Sequence, residues 1–266
     1  MPNAAAIRAR IWSPRLDDGW VPQGVAVGGG SLWVAAYRST DAKQNRGPCR
    51  VFRIDPADGG IAGEFALPAT CGHAGGIAHT GGRHLYVGDG RKLFRIDTDA
   101  ALATGRCETP ECAAIALPRA WRADALAYRD GMLWLASHAA RGAGTGRVVQ
   151  VSERDVLASI SAGDDALDER AARRTLPIAD QTQGAAVAAD GFLWLAQSGG
   201  QFGRLQKIDV ETVMVMAYFA MPAGIEDLEF APDGLLWTVS EAGSQRWSGW
   251  RTLQPLVSSV DTGALR

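Results

Sequence analysis

DLEFAPDGLLWTVS, residues 227–240, is the last of five copies of one short segment. The other copies are GVAVGGGSLWVAA (24–36), GGIAHTGGRHLYVGD (75–89), DALAYRDGMLWLAS (124–137) and GAAVAADGFLWLAQ (184–197). Each copy pairs two apolar stretches around a glycine-containing turn. Each also carries one aromatic residue near its end: Trp33, Tyr86, Trp134, Trp194 or Trp237. A strand-based repeat of roughly 40 to 60 residues predicts a β-propeller.

Two further strands follow each copy. The third strand alternates apolar and polar residues, as a half-buried strand does, and it ends on Asp or Ser, which cap turns. These strands are VFRID (51–55), LFRID (93–97), VVQVS (148–152), LQKID (205–209) and VSSVD (257–261). The fourth strand ends on proline in four repeats: EFALP (64–68), AIALP (114–118), RRTLP (173–177) and YFAMP (218–222). Proline lacks an N–H donor, so it suits the edge strand of a blade.

The fifth repeat lacks a fourth strand, and the surplus segment AIRARIWSP (6–14) has the pattern to supply it. We therefore predict an all-β fold, a single five-bladed β-propeller domain over residues 1–266. Each blade has four antiparallel strands, and the N-terminal strand closes the last blade. The expected blades cover about 21–68, 73–118, 122–177, 182–222 and 225–263, the last together with 6–14.

Composition narrows the classes of function. The chain has 266 residues, 47% of them hydrophobic and 21% charged, with a net charge of −2. Lysine and arginine are scattered, so we expect no nucleic-acid partner. No apolar run is long enough for a membrane span. We expect a monomer whose partner is a small molecule or a peptide.

Two segments resemble repeats of the NHL and streptogramin-lyase type of propeller: EFALPATCGHAGGIA (64–78) and FAPDGLLWTVSE (230–241). The resemblance covers all five repeats at the level of the fold. Streptogramin lyases look like seven-bladed, metal-assisted enzymes that use a His and a Glu on one face. The resemblance thus implies His73 and Glu241 as catalytic residues. His73 stands before the GI element, and Glu241 follows the aromatic strand. The other repeats lack both residues, and the number of blades differs.

The ligand face of a propeller is where each innermost strand begins and each second strand ends. The strand starts place Gln23, Gly75, Asp124, Gln183 and Glu226 there, and the strand exits add Arg38, Asp89, His138, Gln197 and Glu241. Polar side chains that converge on a channel need partners. We predict ligand binding by Gln23, Arg38, Asp124, His138, Gln183 and Gln197. The alternative is a plug of side chains that bond one another and water.

Acidic residues are densest at Glu226, Asp227 and Glu241. Converging carboxylates are ligands for Ca²⁺ or Mg²⁺, so these three are the candidate metal ligands. Alternatively, crowding raises one pKa and leaves a proton donor beside a base. His73, in CGHAGG, is a candidate base or metal ligand, although a histidine that only bonds the loop backbone is more common. His79 is expected on the surface of the opposite face.

Two long loops, 37–48 and 241–255, are expected on the ligand face. The second carries Trp247 and Trp250 beside Arg246 and Arg251. Aromatic residues with arginine are typical anchors for a ligand or a partner protein. The alternative is that both tryptophans pack this loop onto its blade.

The four cysteines fall into two pairs on the repeat. Cys49 and Cys71 lie at neighbouring strand ends, and Cys107 and Cys112 share one hairpin loop, so we predict two disulfides. Two bridges indicate an oxidising compartment. We expect a periplasmic or secreted protein whose signal peptide is absent from this sequence. Zinc binding is the competing interpretation of the cysteines.

No motif specifies a reaction. The leading hypothesis is therefore an extracytoplasmic propeller that binds a small molecule or peptide over its central channel. The second is a lyase or hydrolase assisted by Mg²⁺ or Ca²⁺, and the third is a protein-interaction scaffold.

Overall fold

The computed structural model describes residues 2–110, 112–199 and 202–266. In chain order, its strands are β1 (Ile7–Trp12), β2 (Trp20–Gly28), β3 (Ser31–Arg38), β4 (Cys49–Ile54), β5 (Ile61–Ala66), β6 (Gly76–His79), β7 (His84–Asp89), β8 (Lys92–Asp97), β9 (Cys112–Ala116), β10 (Ala125–Arg129), β11 (Met132–Ala136), β12 (Arg147–Ser152), β13 (Ala172–Pro177), β14 (Thr182–Val187), β15 (Leu193–Ser198), β16 (Gly203–Asp209), β17 (Met214–Met221), β18 (Ile225–Phe230), β19 (Leu236–Ser240) and β20 (Leu256–Val260). Two α-helices are described, α1 (Thr98–Thr104) and α2 (Glu153–Ala162). Neither these nor the short 3₁₀ turns in the described ranges are long and apolar enough to cross a membrane.

The strands form five antiparallel four-stranded sheets, which are the blades of a propeller. Blade 1 is β2 to β5, blade 2 is β6 to β9, blade 3 is β10 to β13 and blade 4 is β14 to β17. Blade 5 has the order β18-β19-β20-β1. Strand β1 pairs with β20 from Ile7 opposite Val260 to Trp12 opposite Leu256. The prediction that the N-terminal strand closes the ring is confirmed.

Hydrophobic cores lie between successive blades, and each repeated aromatic residue packs into one of them. Trp33 packs between blades 1 and 2, Tyr86 between 2 and 3, Trp134 between 3 and 4, Trp194 between 4 and 5, and Trp237 between 5 and 1. A buried aromatic removes a large apolar area from water, so each copy of the motif stabilises one contact between blades. Because Trp237 occupies the seam between the last and first blades, the ring closes with the same packing it uses elsewhere.

The Asp or Ser that ends each third strand caps the turn or helix after it. Asp55, Asp209 and Asp261 accept a hydrogen bond from the backbone N–H two residues later, as predicted. Asp97 and Ser152 accept the same bond, from the N–H groups of Asp99 and Arg154, and thereby cap the first turns of α1 and α2, two helices that we did not predict. Beyond these helices, the chain adds short parallel bridges at Ala66 and Ala116, which cover the edges of blades 1 and 2.

One of the two predicted disulfides is formed. Cys107 and Cys112 are bonded, with their Cα atoms 5.2 Å apart. The prediction of a Cys49–Cys71 bridge was wrong, because both residues are thiols buried between blades 1 and 2. Cys49 Sγ donates to the Gly47 carbonyl at 3.6 Å. The neighbouring Cys71 thiol and burial raise the pKa of Cys49, so its thiol form is favoured.

Candidate functional site

One end of the central channel opens into a cavity of about 280 Å³, which we call the long-loop mouth. Its lining residues are Gln23, Asn45, Arg46, His73, Asp89, Gly90, Arg122, Asp124, His138, Gln183, Glu226, Glu241, Arg246 and Trp247. Every blade contributes to this set. The starts of innermost strands and the exits of second strands therefore meet on one face, as the repeat indicated.

Bulges in the innermost strands aim three of these side chains. The register of β2 against β3 shifts between Pro22 and Gly24, which places Gln23 at a bulge. Strand β14 shifts between Thr182 and Gly184, at Gln183, and β18 shifts between Ile225 and Leu228, at Glu226 and Asp227. An extra residue in one strand bends it and turns a side chain out of the regular alternation. The same device thus presents two glutamines and a glutamate to the mouth.

Two carboxyl groups lie at the floor of the cavity. Glu226 is 2% exposed and Glu241 is 7% exposed, and the two side chains are close enough to influence each other's pKa. Gln23 Nε2 donates to Glu241 Oε2 at 3.3 Å, and Gln183 Nε2 donates to Glu226 Oε1 at 3.4 Å. Burial raises the pKa of both carboxyls, and the neighbouring Glu241 raises that of Glu226 further. Burial and crowding therefore favour the protonated form of Glu226.

A stack of flat side chains forms one wall. The guanidinium of Arg246 lies 4.3 Å from the ring centre of Trp247 and 5.5 Å from that of Tyr37. Tyr37 in turn stacks on His73, with ring centres 4.7 Å apart, and Trp250 stacks on Trp247 at 4.5 Å. The second long loop is thereby tied to blade 1, and the arginine is held between two aromatic faces.

Arg246 carries an unsatisfied donor beside the carboxyl pair. Its side chain is only 8% exposed, and its Nη1 lies 3.9 Å from Glu241 Oε2. Nη1 donates to the Tyr37 hydroxyl, and Nη2 lies 3.4 Å from the Ala42 carbonyl. Nε has no hydrogen-bond partner in the described protein. The indole N–H of Trp247 lies near enough to Glu241 to lower its pKa, yet it also lacks a partner at normal hydrogen-bond geometry.

Two similar units of aspartate, arginine and histidine form the rim. In the first unit, Asp89 Oδ1 accepts the backbone N–H of His73 at 2.8 Å, and Oδ2 accepts Arg46 Nη2 at 2.9 Å and the Gly72 N–H at 3.0 Å. The carboxylate is thus fully engaged in holding the loop, while the Arg46 side chain stays 58% exposed at the rim.

The second unit repeats this arrangement in blade 3. Asp124 accepts Arg122 through Nε at 2.6 Å and Nη2 at 2.8 Å, and Oδ2 also accepts the backbone N–H of His138 at 2.8 Å. Arg122 is 49% exposed, so its remaining N–H groups face the solvent side of the mouth. Both units thus place a guanidinium and an imidazole around a floor of carboxyl groups.

Backbone carbonyls fix the tautomer of both histidines. His73 Nδ1 lies 2.5 Å from the Asn45 carbonyl, and His138 Nδ1 lies 3.2 Å from the Thr182 carbonyl. A carbonyl only accepts, so each Nδ1 carries the hydrogen, and each Nε2 is a lone-pair acceptor in the neutral ring. Burial lowers the pKa of His73, which keeps that ring neutral near pH 7.

Three predicted ligand-binding residues lie outside the mouth. Arg38 Nε donates to the Asp18 carbonyl at 2.9 Å on the outer surface. Gln197 donates to the Asp180 carbonyl and accepts from Gln206 on the neighbouring strand, so its amide is engaged within blade 4. Trp250 contacts Trp247 and not the cavity. In each case another polar or aromatic group of the same blade or loop engages the side chain.

Asp227, predicted as a metal ligand, lies in the waist of the channel below the mouth. Its Oδ2 accepts the Ile77 N–H at 3.0 Å, and its Oδ1 accepts the Ala185 N–H at 3.4 Å. It thereby joins blade 5 to blades 2 and 4. Within the part of the chain that the structure describes, no group of three or more His, Cys, Asp or Glu side chains is arranged to hold a metal ion. The three carboxyls Glu226, Asp227 and Glu241 do not form such a group, because backbone donors engage Asp227.

The sequence analysis did not place Asn45, Arg46, Arg122 or Gly90 at the site, and it named Arg246 only as a neighbour of the two loop tryptophans. Arg46 and Asn45 come from the first long loop, whose path no local pattern specifies. The position of Arg122 could have been read from the sequence, since it stands two residues before Asp124. At that spacing the guanidinium can bond the carboxylate. Asp89 was expected on this face as the exit of β7, and the structure places it there.

Comparisons with known proteins support the fold. No family model matches the sequence, and no curated protein matches it. Among solved structures, the glutaminyl cyclase of Myxococcus xanthus aligns with a TM-score of 0.59 and 11% identity, over 96% of this chain and 94% of that one. The hydrazine synthase of Kuenenia stuttgartiensis aligns with a TM-score of 0.46 and 14% identity. That alignment covers 82% of this chain and 55% of the hydrazine synthase chain.

The Dos1 propeller gives a TM-score of 0.41 and 11% identity over 85% of this chain and 68% of that one. The lower scores of the last two structures mark a distant likeness. Together with the five sheets, the alignment with the glutaminyl cyclase supports a β-propeller fold. None of these comparisons singles out the NHL or streptogramin-lyase family.

Proposed function

We propose that this five-bladed propeller binds a small polar molecule, or the end of a peptide, at the long-loop mouth. The observation that supports it is the buried pair Glu226 and Glu241 beside Arg246, whose Nε has no hydrogen-bond partner in the described part of the chain. An unpartnered buried donor is costly, and a ligand acceptor relieves that cost. A ligand with both an acceptor and a donor satisfies the arginine and the carboxyl pair together.

The charged groups of the long-loop mouth indicate the chemical class of the ligand. At the rim, Arg46 and Arg122 are paired with Asp89 and Asp124, and at the floor the two glutamates lie beside Arg246. A zwitterion such as a free amino acid or a short peptide matches this arrangement, since its ammonium suits the floor glutamates and its carboxylate suits Arg246 or the exposed N–H groups of the rim arginines.

A thermal-shift screen of free L-amino acids and dipeptides, followed by calorimetry, tests this proposal. We expect at least one of these compounds to bind, and the double variant Glu226→Gln and Glu241→Gln to bind it at least 10-fold more weakly. Glu229→Gln is the matched control, because Glu229 lies on the same strand at the other end of the channel, and this variant should bind as the native chain does. Equal binding by the double variant would exclude the carboxyl pair as the site.

Acid–base catalysis is the second candidate, and the floor geometry favours it. Burial raises the pKa of Glu226 and so favours a protonated carboxyl as the acid, and the Nε2 of His73 supplies a base at the rim of the same cavity. The glutaminyl cyclase of similar fold suggests a first substrate, a peptide with an N-terminal glutamine. In its cyclisation, the terminal amine bonds to the side-chain amide carbon, the C–N bond to the amide nitrogen breaks, and ammonia leaves with the proton. Mass spectrometry detects that loss.

The metal-assisted form of this candidate, a lyase or hydrolase of the streptogramin-lyase type, has its own test. A rise in melting temperature with CaCl₂ or MgCl₂ that is lost in Glu226→Gln and in Glu241→Gln would support it. If neither salt changes the melting temperature, ligand binding without a metal is the favoured function.

We also propose an extracytoplasmic location. The Cys107–Cys112 bridge supports it, because disulfides persist mainly in oxidising compartments. Alkylation of cysteines in protein isolated from its source, with and without prior reduction, measures whether that bridge is present; a fully reduced pair would contradict the proposal.

A further inference from the structure

The other end of the channel holds a second cavity, of about 510 Å³, among the inner hairpin turns. We call it the hairpin mouth, and its lining includes Val27, His79, Arg129, Val187, Glu229 and Phe230. None of these residues belongs to the long-loop mouth. The two cavities lie at opposite ends of the channel, because β18 runs from Glu226 at one mouth to Glu229 at the other.

Glu229 is a buried carboxyl group with an unused oxygen. The residue is 8% exposed, and its Oε1 accepts the backbone N–H of Phe230 at 3.1 Å. Its Oε2 has no hydrogen-bond partner in the described protein. A buried carboxyl oxygen without a donor is costly, and glutamate is rarely buried unless it is paired. A donor on a bound ligand would supply the hydrogen bond that Oε2 lacks.

The surroundings of Glu229 favour a cation with an apolar body. Val27, Val187 and Phe230 provide apolar and aromatic walls. His79 Nδ1 accepts the Gly81 N–H at 2.9 Å, so its Nε2 carries the hydrogen and the neutral ring adds no charge. This buried ring stacks on Trp33, which corrects the expectation that His79 is a surface residue.

Anions and metal ions match the hairpin mouth less well. Arg129 is the cation among the residues that line this mouth, and its Nε lies 3.4 Å from the carboxylate of the exposed Asp130. An anion drawn to Arg129 would also have to lie against Glu229 and Asp130. A hard metal ion takes six or more oxygen ligands, and the carboxylates of Glu229 and Asp130 supply at most four. A planar amidine donates two parallel N–H groups to a carboxylate and offers its ring to an aromatic wall.

We propose that the hairpin mouth is a second ligand site, which binds a small organic cation of the amine or amidine class with Glu229 as its counter-ion. The site is independent of the ligand at the long-loop mouth. Its occupant contacts the carboxylate of Glu229 through N–H donors and packs its apolar part against Phe230 and Val187.

The affinity of the hairpin mouth for a cation should depend on pH. Burial raises the pKa of Glu229 to about 8, and nearby Arg129 lowers it only in part. A cation requires the ionised carboxylate, so its affinity should rise by roughly 30-fold between pH 6.5 and pH 9, in line with the ionised fraction. The other titratable and charged groups that line this mouth are His79, Tyr128, Arg129 and Asp130. Burial lowers the pKa of His79 and raises that of Tyr128 to about 12, so Glu229 is the group at this mouth whose shifted pKa falls in this range.

Calorimetry with benzamidine, which stays cationic throughout this range, tests the site on the full chain. We expect binding at pH 9 that weakens with falling pH as above. Glu229→Gln should weaken it at least 10-fold and remove the pH dependence. Glu226→Gln, the matched change at the other mouth, should leave it unaltered. Benzoate, which has the same ring and the opposite charge, should not bind at this mouth.

A second variant guards against a folding defect. Ala189→Trp alters an exposed residue that lines the hairpin mouth, so it should block benzamidine without disturbing the buried carboxyl. No benzamidine binding at pH 9, binding by Glu229→Gln as tight as by the native chain, or an equal loss in Glu226→Gln would each overturn the proposal.

Discussion

The waist of the channel and its two mouths use carboxyl groups from a single strand in opposite ways. At the waist, both oxygens of Asp227 accept backbone N–H groups from two other blades. At the mouths, Glu226 is paired with another carboxyl and Glu229 has an unused oxygen. All three residues are buried. Burial alone therefore does not separate a structural carboxylate from a binding one; the difference lies in whether the protein itself supplies the donors.

The two mouths also differ from each other. The long-loop mouth is surrounded by three arginines and two histidines, many of them positioned by loops. The hairpin mouth is built from short turns and has apolar walls around one buried carboxyl group, that of Glu229. A polar, zwitterionic ligand matches the first, and a cation with an apolar body matches the second. We therefore expect changes at the waist to act on stability, and changes at the mouths to act on binding or on pH dependence.

The largest expected effect concerns how Glu229 links stability to pH. Its folded pKa of about 8 exceeds the ordinary value of 4.5, so between these values the folded chain keeps a proton that the unfolded chain has lost. Stability contributed by this group is complete below about pH 4.5 and falls as pH rises towards 8. The glutamine of Glu229→Gln cannot titrate. The free energy of unfolding of this variant, relative to that of the native chain, should therefore increase by about 4 kcal/mol between pH 5 and pH 9.

Urea unfolding of both chains at the two pH values measures this gain. Other titrating groups cancel in the difference between the chains. A difference that does not change with pH would mean that Glu229 is ionised in the folded state, and the hairpin mouth would then be more polar than the structure indicates.

The next effect concerns the waist. Asp227→Asn replaces one acceptor oxygen by an N–H₂ group, which faces a backbone donor from Ile77 or Ala185. One buried N–H then loses its partner, and the contact between three blades weakens. We expect the free energy of unfolding to fall by about 3 kcal/mol. Glu226→Gln is the control one residue away, and it should cost less than about 1 kcal/mol, because it removes charge from a crowded pair. Equal losses would erase the distinction between waist and mouth.

How far each feature could be predicted from the sequence depends on the range of the interactions that build it. The five blades, the closing strand and the interblade aromatics follow from a local repeat, and the structure confirms them. The ring of polar residues at one mouth follows from the same repeat, because strand starts and exits have fixed positions in a blade. Gln23, Gln183 and Glu226 therefore fall at the mouth without any knowledge of the bulges that aim them.

The features that were missed depend on contacts far apart in sequence. Asp227 is separated from Ile77 by 150 residues, so its donors are invisible in the pattern of β18. Arg46 meets Asp89 from another blade, and Arg246 meets Tyr37 across the ring closure. The thiols Cys49 and Cys71 lie side by side as predicted, but the loops determine whether their sulfurs reach bonding distance. Helix α2 had a local signal that went unread, the Ser152 cap before two acidic residues.

The smallest expected effect lies at the rim of the long-loop mouth. Arg122→Gln removes a bidentate pair with Asp124, but Arg122 is half exposed, and exposed ion pairs contribute little. The free energy of unfolding should change by less than about 0.5 kcal/mol. Amide exchange of His138 should also keep its protection, since Asp124 Oδ2 still accepts that N–H. Asp124→Ala, the control, should lose the protection. A loss of stability in Arg122→Gln comparable to that in Asp227→Asn would show that the rim stabilises the fold as the waist does, and the contrast between waist and mouth would then hold only for the channel itself.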